Sequence, residues 1–546
     1  MKKIKNSAWL RKWLPLAILS TALMIIIIDT TVLNVSIKDM IGDLKTNVQA
    51  IQWVISAYAL TLAALTVTGG RLGDLFGRKK VFKIGAVLFA IGSVITALAP
   101  TIAWVIFGNA IIEGIGAALM MPATASLLMS TYQGKDRALA FAFWGSVAAS
   151  AAAIGPILGG WLTTNYSWRW AFGINVVVVA ILLLGSRVVK ESRDKLEKQE
   201  LDMVGVLLSS LGLVSIVYGL IESSTYGWWM AKAPFQIFGL DFSPFGLSVT
   251  PITITLGLAI LFAFIKYEQK HEAAGHTPLV SLNLFKNRQF TVGSVATALS
   301  SIGQSGIIFS VPIFYQSVLL LDAFHTGIGL LPMSLAVMIG APIGLGMGKK
   351  LLPKHIIQLG FLLNLIGILY LYFTISTGSS PLSFAPGLFL YGFGMGLAFS
   401  HLSNLTLSAV SVEQSGEASG VNNTLRQVGT SFGSAIIGAA LIATLTSGVV
   451  TKIEASKVLP DQAKPAIVEQ VKKAGSNIEF SEPTKTNAPA KITNEVLSLT
   501  HQATVDANKV ALSLTALFTI ICLIFSQALP SIKNLETSKK IPKPAH

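Results

Sequence analysis

The chain is cut into about fourteen apolar runs, each of the roughly twenty residues that a helix needs to cross a bilayer. They begin at 14–37, 50–69, 81–99, 102–121, 139–162, 170–189 and 204–221. They continue at 247–265, 290–318, 327–347, 356–375, 384–408, 421–445 and 510–529. No water-soluble domain accommodates that many unbroken apolar stretches, because backbone polar groups inside lipid are satisfied only within helices or closed barrels. Charged residues make up 12% of the 546 positions, against about 25% in soluble domains. The expected fold class is an all-α integral membrane protein.

Charge sets the topology. The net charge of +15 would suggest nucleic acid in a soluble chain, but here the cations sit in short gaps between apolar runs, where orientation requires them. Lys135 and Arg137, then Arg187, Lys190 and Arg193, then Lys266, Lys270, Lys286 and Arg288 occupy alternate gaps. The intervening gaps at 99–101 and 319–326 hold no Lys or Arg. With an even number of spans, both termini are expected in the cytoplasm. Lys2, Lys3, Lys5, Arg11 and Lys12 precede a first run too long for a signal-peptide core, which is read as a retained span.

The gaps also divide the chain. Charged linkers at 191–202 and 267–288 bracket two spans, giving a six, two and six arrangement. The expected domains are a six-helix half over 1–190, a linker with two extra spans over 191–288, and a second six-helix half over 289–546. That second half carries a long polar extracellular loop, 448–508, and a cytoplasmic tail. Within the loop, 463–473 reads as helix. The gap 222–245, with Tyr226, Trp228, Trp229 and Phe235, suits an interface or a small hairpin. Cys522, the sole cysteine, excludes a disulfide framework within the chain.

The gap after the second run reads Gly69-Gly70-Arg71-Leu72-Gly73-Asp74-Leu75-Phe76-Gly77-Arg78-Lys79-Lys80. It is expected to be a glycine-rich turn on the cytoplasmic side. Gly70, Asp74, Gly77, Arg78 and Lys79 are its candidate gate residues. Asp74 is the one carboxylate among cations, suited to capping a helix or pairing with Arg.

Two acids lie inside spans. Asp29 follows Met24-Ile25-Ile26-Ile27-Ile28, with Thr30 and Asn34 completing a partly polar stripe. Glu113 stands in Asn109-Ala110-Ile111-Ile112-Glu113-Gly114-Ile115-Gly116, about 15 Å along the helix from Ala103. An ionisable group at that depth is costly unless it serves a cavity, a partner or a proton. Asp29, Glu113 and Asn34 are therefore the candidate proton and substrate residues. Gly155, Pro156, Gly159 and Gly160 form a small-residue segment in which proline removes a helical hydrogen bond and glycine admits close helix contact. Arg426 reads as an anchor or gate partner. His401 reads as a packed histidine, and Glu222 as a solvated residue at the end of the seventh run.

These motifs together resemble the fourteen-span drug:proton antiporters of the major facilitator superfamily. The resemblance rests on Asp29-Thr30-Thr31 with Leu33-Asn34-Val35, on Gln52-Trp53-Val54, and on the basic loop. Gly155-Pro156-x-x-Gly159-Gly160, Ser167-Trp168-Arg169-Trp170-Ala171-Phe172 and the run Gly416 to Gln427 extend it over most of the chain. It implies a facilitator fold, quaternary-ammonium or multidrug export, a latch formed by the Asp and Arg of the basic loop, a Gly-Pro segment tied to export, and buried acids tied to proton coupling. The chain departs from the pattern where Ala110 replaces an expected Arg, Glu113 a common Gln, and Lys38 a frequent Pro.

The sequence therefore leads to a proton-coupled exporter of amphipathic, cationic compounds in the bacterial cytoplasmic membrane. It is expected to work as a monomer by alternating access of two halves. The proton gradient is the expected energy source, with no cofactor, no metal and no nucleic-acid partner. No Walker loop is present for ATP. The rival readings are export of a lipid or a single endogenous metabolite on the same fold and, more distantly, a membrane-bound enzyme.

Overall fold

The computed structural model describes residues 2–192, 202–237, 240–241, 243–276, 278–348, 350–410, 415–474 and 490–531. The first seven helices are α1 (Lys2–Val35), α2 (Ile37–Leu44), α3 (Val48–Phe76), α4 (Arg78–Ala97), α5 (Ile102–Thr131), α6 (Gly134–Asn165) and α7 (Trp168–Gly185). A pair follows, α8 (Met203–Tyr226) and α9 (Val249–Ala273). Next come α10 (Arg288–Ser317), α11 (Ala323–Met347), α12 (Pro353–Thr374), α13 (Pro381–Leu407), α14 (Ser415–Ala455), α15 (Lys464–Ala474) and α16 (Ala490–Phe525). Thirteen described helical segments are long and apolar enough to cross a membrane, and α6, at 32 residues, completes the set of fourteen by length. Two-residue strands, β1 (Gln236–Ile237) and β2 (Leu240–Asp241), make the small hairpin between α8 and α9.

The helices are inside-out relative to a soluble bundle. On α4, Ile84, Val87, Ile91 and Val94 recur at helical spacing and are all exposed, while Ser93 and Thr96 are buried. Leu258, Phe262 and Ile265 do the same on α9. Apolar stripes facing outwards on many helices are what a lipid solvent selects. One hydrophobic cluster draws only on residues between Leu16 and Val189, another only on residues between Val292 and Leu529. The pair α8 and α9 packs on itself and against α3 and α14.

Three expectations change. The glycine-rich turn shrinks to Gly77 alone, because α3 continues through Gly69, Gly70 and Gly73 to Phe76 and α4 starts at Arg78. Gly69 lets α3 approach α5, its Cα facing the Ala118 carbonyl, while Gly73 faces Arg78 at the start of α4. The loop 448–508 is also largely helical at its ends. The α14 helix runs on to Ala455, α15 lies close to the expected 463–473 helix, and α16 starts at Ala490. Hydropathy finds only the lipid-buried part of a helix. The extensions are polar outside, yet bury Val449, Ile453, Leu459, Val468, Val471 and Leu499 in one cluster with Met40, Ile41 and Leu44 of α2. Residues 475–489 of that loop, most of the 191–202 linker and the tail from 532 lie outside the described residues. Glu222, finally, is half-buried rather than solvated and accepts hydrogen bonds from Trp53 Nε1 (2.8 Å) and Gln49 Nε2 (3.3 Å).

Candidate functional site

Five helices converge on a buried polar centre. Asp29 of α1 and Glu113 of α5 are 2% and 0% exposed. Two amides lie between them. Asn109 Nδ2 donates to Asp29 Oδ2 and to Glu113 Oε2, both at 3.2 Å. Asn175 Nδ2 of α7 donates to Asp29 Oδ1 (3.1 Å) and Glu113 Oε1 (3.0 Å). Ser93 of α4 donates its hydroxyl to Glu113 Oε1. Tyr58 of α3 is buried near both acids, its phenolic hydroxyl without a hydrogen-bond partner among the described residues.

Local sequence puts Glu113 there. Residues Ile106–Glu113 form a π-helical segment within α5. The wider turn changes the facing of every later residue, and such bulges are frequent at functional sites. Gly92 and Gly108 allow the approach: a Cβ on Gly92 would meet the Glu113 backbone, and one on Gly108 the Thr96 hydroxyl. Where the family pattern places Arg, the buried Ala110 contributes no charge. The partners of Glu113 are neutral donors, so among the described residues no cation bonded to the pair balances two negative charges. Burying both uncompensated would cost many kcal/mol, far more than the hydrogen bonds return. The arrangement is suited to hold and release a proton.

Asn34 is not part of this centre. Its Nδ2 donates to the Thr30 carbonyl of its own helix at 3.0 Å, and Thr30 in turn bonds Ile27. The missed residues are Asn109, Asn175, Ser93 and Tyr58. Asn175 offered one signal: it is a lone amide within the apolar run of α7.

The Gly77 hinge has φ +104°, a backbone that side-chain-bearing residues rarely adopt. Glu191 caps α4: its carboxylate accepts the N–H groups of Lys79 (2.8 Å) and Lys80 (3.1 Å). Arg78 N–H donates to the Ser192 carbonyl at 3.0 Å, and its guanidinium to the Ser192 hydroxyl at 3.3 Å. Gly70 and Asp74 lie in the last turns of α3, and the Asp74 side chain falls outside the described residues.

The Gly155-to-Gly160 segment is a wedge. The α6 helix remains a single helix through Pro156. Gly155 faces Thr31 and Gly159 faces Val32 of α1, while Gly160 abuts the Ala323 carbonyl of α11 and Gly327 abuts the Pro156 carbonyl. Thr164 Oγ1 accepts the Phe324 N–H at 3.1 Å. Two more seams join the helices before α8 to those after α9. Gln52 Nε2 donates to the carbonyls of Ser434 (2.8 Å) and Ala435 (3.0 Å). Gln316 Oε1 accepts Lys38 N–H at 3.0 Å while its Nε2 donates to Val35 O at 2.9 Å. All three seams lie towards the end of the bundle that carries α2. Arg426 is half-buried on α14 and forms no ion pair among the described residues. His401 is buried, with Nε2 2.7 Å from the Gly344 carbonyl oxygen. No group of His, Cys, Asp and Glu that could hold a metal is found among the described residues.

Residues 19–434 match the family model of the Major Facilitator Superfamily. The chain is 27% identical to the Probable actinorhodin transporter of Streptomyces coelicolor, over 81% of this chain and 75% of that one. It is 27% identical to the Multidrug export protein EmrB of Escherichia coli, over 77% and 78%. To the Multidrug efflux pump LfrA of Mycolicibacterium smegmatis it is 28% identical, over 80% and 82%. Its fold matches that of a bacterial homolog of the human lysosomal transporter Spinster, in an inward-facing and unoccupied conformation. The TM-score is 0.58 with 14% identity, covering 95% of this chain and 98% of that one.

Proposed function

The chain belongs to the major facilitator superfamily, a multi-pass transporter of the cytoplasmic membrane rather than an enzyme, and from that premise we propose that it exports amphipathic, cationic compounds in exchange for protons. The observation that carries this reading is the pair Asp29 and Glu113, linked through Asn109 and Asn175. Names of relatives that speak of multidrug export and efflux support the cargo class.

The acids are enclosed by α1, α3, α4, α5 and α7, so cargo does not touch them in this conformation. We assign them to the proton alone. A proton taken up by the pair removes one of its two negative charges, lowers the cost of burying them, and so favours the closed packing of these five helices. Release of the proton restores the charge and favours a conformation in which water reaches it. Cargo and proton then compete through the state of the transporter rather than at one atom. The halves, divided near residues 190 and 289 with α8 and α9 between them, rock about the α3–α14 and α6–α11 seams. The end carrying α2 faces outwards, and the Gly77 hinge and both termini face the cytoplasm. The transporter works as a monomer on the proton gradient, without a cofactor.

The test is purified protein in vesicles with an entrapped pH dye. A quaternary-ammonium dye added on the cytoplasmic face should drive proton movement in the wild type and not in an Asp29→Asn, Glu113→Gln double variant. Transport without proton movement overturns the coupling. Proton movement with neutral or anionic cargo only overturns the cation reading.

A further inference from the structure

A second pair of carboxyl groups lies far from the first, where α8 and α9 come together near the Gly77 end of α3. Asp202 caps α8: its Oδ1 accepts the Gly205 N–H at 2.8 Å and the Tyr267 hydroxyl at 3.0 Å. Glu268 of α9 accepts the N–H groups of Leu279, at 3.3 Å, and Val280. The two carboxyl groups meet over Gly205, whose missing side chain leaves the space they share, and they lie within hydrogen-bonding reach of each other. Asp202 is 4% exposed and Glu268 is 0% exposed. Asp202 Oδ2 and Glu268 Oε2 are buried without a hydrogen-bond partner. The place a Gly205 side chain would fill lies against both Asp202 Oδ2 and Glu268 Oε1, and a proton carried by one acid and donated to the other relieves buried carboxyl oxygens brought this close. Burial pushes the Asp202 carboxyl up, but the Gly205 N–H, Glu268 and the Tyr267 hydroxyl together hold it below its usual range. Asp202 is then the ionised member and Glu268 the donor.

What the pair holds is a short strap. Residues 278–280 supply two N–H groups to Glu268, and the Pro278 carbonyl accepts the Arg71 guanidinium of α3. Leu279 is buried with Val67 of α3 and Val206 of α8. We propose that Asp202 and Glu268 hold one shared proton, and that this proton fastens the strap, and through it the α8–α9 pair, to the Arg71 end of α3 as a sensor of pH at that end.

Among the described residues, the other titratable groups facing the cluster are few. His271 stacks on Tyr267 (5.2 Å) and on His276 (4.8 Å), and its Nδ1 lies 3.4 Å from the Tyr267 hydroxyl. Glu272 accepts the Ser281 hydroxyl at 3.4 Å and the Asn283 amide, away from the pair. Arg71 is the cation on α3. A strap that closes with proton uptake tightens as pH falls and loosens as pH rises. Protonated His271 would add a cation beside Asp202 and favour its ionised form. That acts in the same direction, so the histidine needs its own control.

The test is hydrogen–deuterium exchange of the purified full-length chain in nanodiscs, without cargo, so that failure here is separate from failure of the export reading. Peptides covering 66–76 and 278–285 are followed from about pH 6 to about pH 8.5 and corrected for intrinsic exchange; a coupling of ordinary size gives at least about five-fold faster exchange at the alkaline end. Glu268→Gln retains a donor towards Asp202 and an acceptor for Leu279, and should stay protected throughout. Asp202→Asn is the second variant and should also lose the pH response. His271→Phe should keep it. A wild-type response in Glu268→Gln and Asp202→Asn, or its loss in His271→Phe alone, overturns the shared proton.

Discussion

Asp29 and Glu113, on different helices, receive hydrogen bonds from the same two side-chain nitrogens, Asn109 Nδ2 and Asn175 Nδ2. Each amide offers two N–H groups, and each spends them across the gap between the acids. The amides therefore hold the carboxyl groups together without contributing charge. An Arg at the position of Ala110 would have fixed one acid as its counter-ion. Its absence fits the proton exchange proposed for the pair.

Asn175→Ala should be more damaging than its burial among apolar neighbours suggests. It removes a donor to both acids at once. An acceptor left unpaired in a dry site costs about 1–3 kcal/mol. Coupled transport should fall about tenfold or more, the equivalent of ~1.4 kcal/mol, with expression measured beside it. Asn175→Gln is the control that tests the amide rather than the space. Transport unchanged in Asn175→Ala would reduce the amide bridge to packing.

Glu113→Gln and Asp29→Asn are each expected to weaken coupling without ending it. Either variant leaves one carboxyl group among the same donors, still able to bind a proton. The double variant has none, so cargo-driven proton movement should vanish. Proton movement per cargo would be measured in vesicles for all three. Complete loss in one single variant and none in the other would assign the proton to one acid and exclude the pair.

The membrane architecture was legible in the sequence because every span carries the same physical signature, about twenty apolar residues between charges. Asp29 and Glu113 were legible for the converse reason: each is a charge inside such a run. What joins them was not. Asn109 and Asn175 are 66 positions apart and meet only because α5 and α7 converge, and the π-helical turn that rotates Glu113 inwards has no pattern in the apolar spacing. The loop at Gly77 misled in a different way. Glycine reads as turn, yet in lipid it also marks close helix contact, and Gly69, Gly70 and Gly73 serve inside α3.

Gly77→Ala should lower thermal stability, because it combines a strained positive φ with a Cβ pressed against the Glu191 carboxylate. Such strain costs about 1–3 kcal/mol. Glu191→Ala should also destabilise, by about 0.5–2 kcal/mol, through loss of the cap on Lys79 and Lys80. In the double variant the clash is gone, so its effect should fall short of the sum of the two single effects. Melting temperatures of the purified proteins measure this. Strict additivity would mean that Gly77 and Glu191 do not act on one another.

At the α6–α11 wedge, size and kink separate. Gly160→Val drives a side chain into the Ala323 carbonyl, and should cut transport at least about tenfold by prying the seam apart. Pro156→Ala keeps the carbonyl that meets Gly327, so the seam and folding should survive it. Export should still fall, since α6 gains a hydrogen bond that resists bending. Near-normal turnover in Pro156→Ala, with stability intact, would leave packing as the whole role of the segment.

The last prediction uses the position where this chain carries Lys38 in place of the frequent proline. The side chain is not what matters there. It is the backbone N–H, which donates to Gln316 Oε1 at 3.0 Å, while Gln316 Nε2 holds the Val35 carbonyl. Proline has no N–H, yet it is tolerated in the first turn of a helix, and Lys38 is the second residue of α2. Lys38→Pro therefore removes one hydrogen bond and little else. Gln316 is buried, so its oxygen loses its donor in a place water does not reach, at a cost of about 1–3 kcal/mol to the state in which this seam is closed. Lys38→Ala retains the N–H and should behave as wild type. The measurement is labelling of a cysteine placed at Gln316-facing Val35, in a Cys522→Ser background, by a membrane-impermeant reagent added to intact cells. Lys38→Pro should raise the labelling rate by about tenfold, the counterpart of ~1.4 kcal/mol in state balance. Equal rates in Lys38→Pro and Lys38→Ala would show that the Gln316 clasp does not hold this end of the transporter shut.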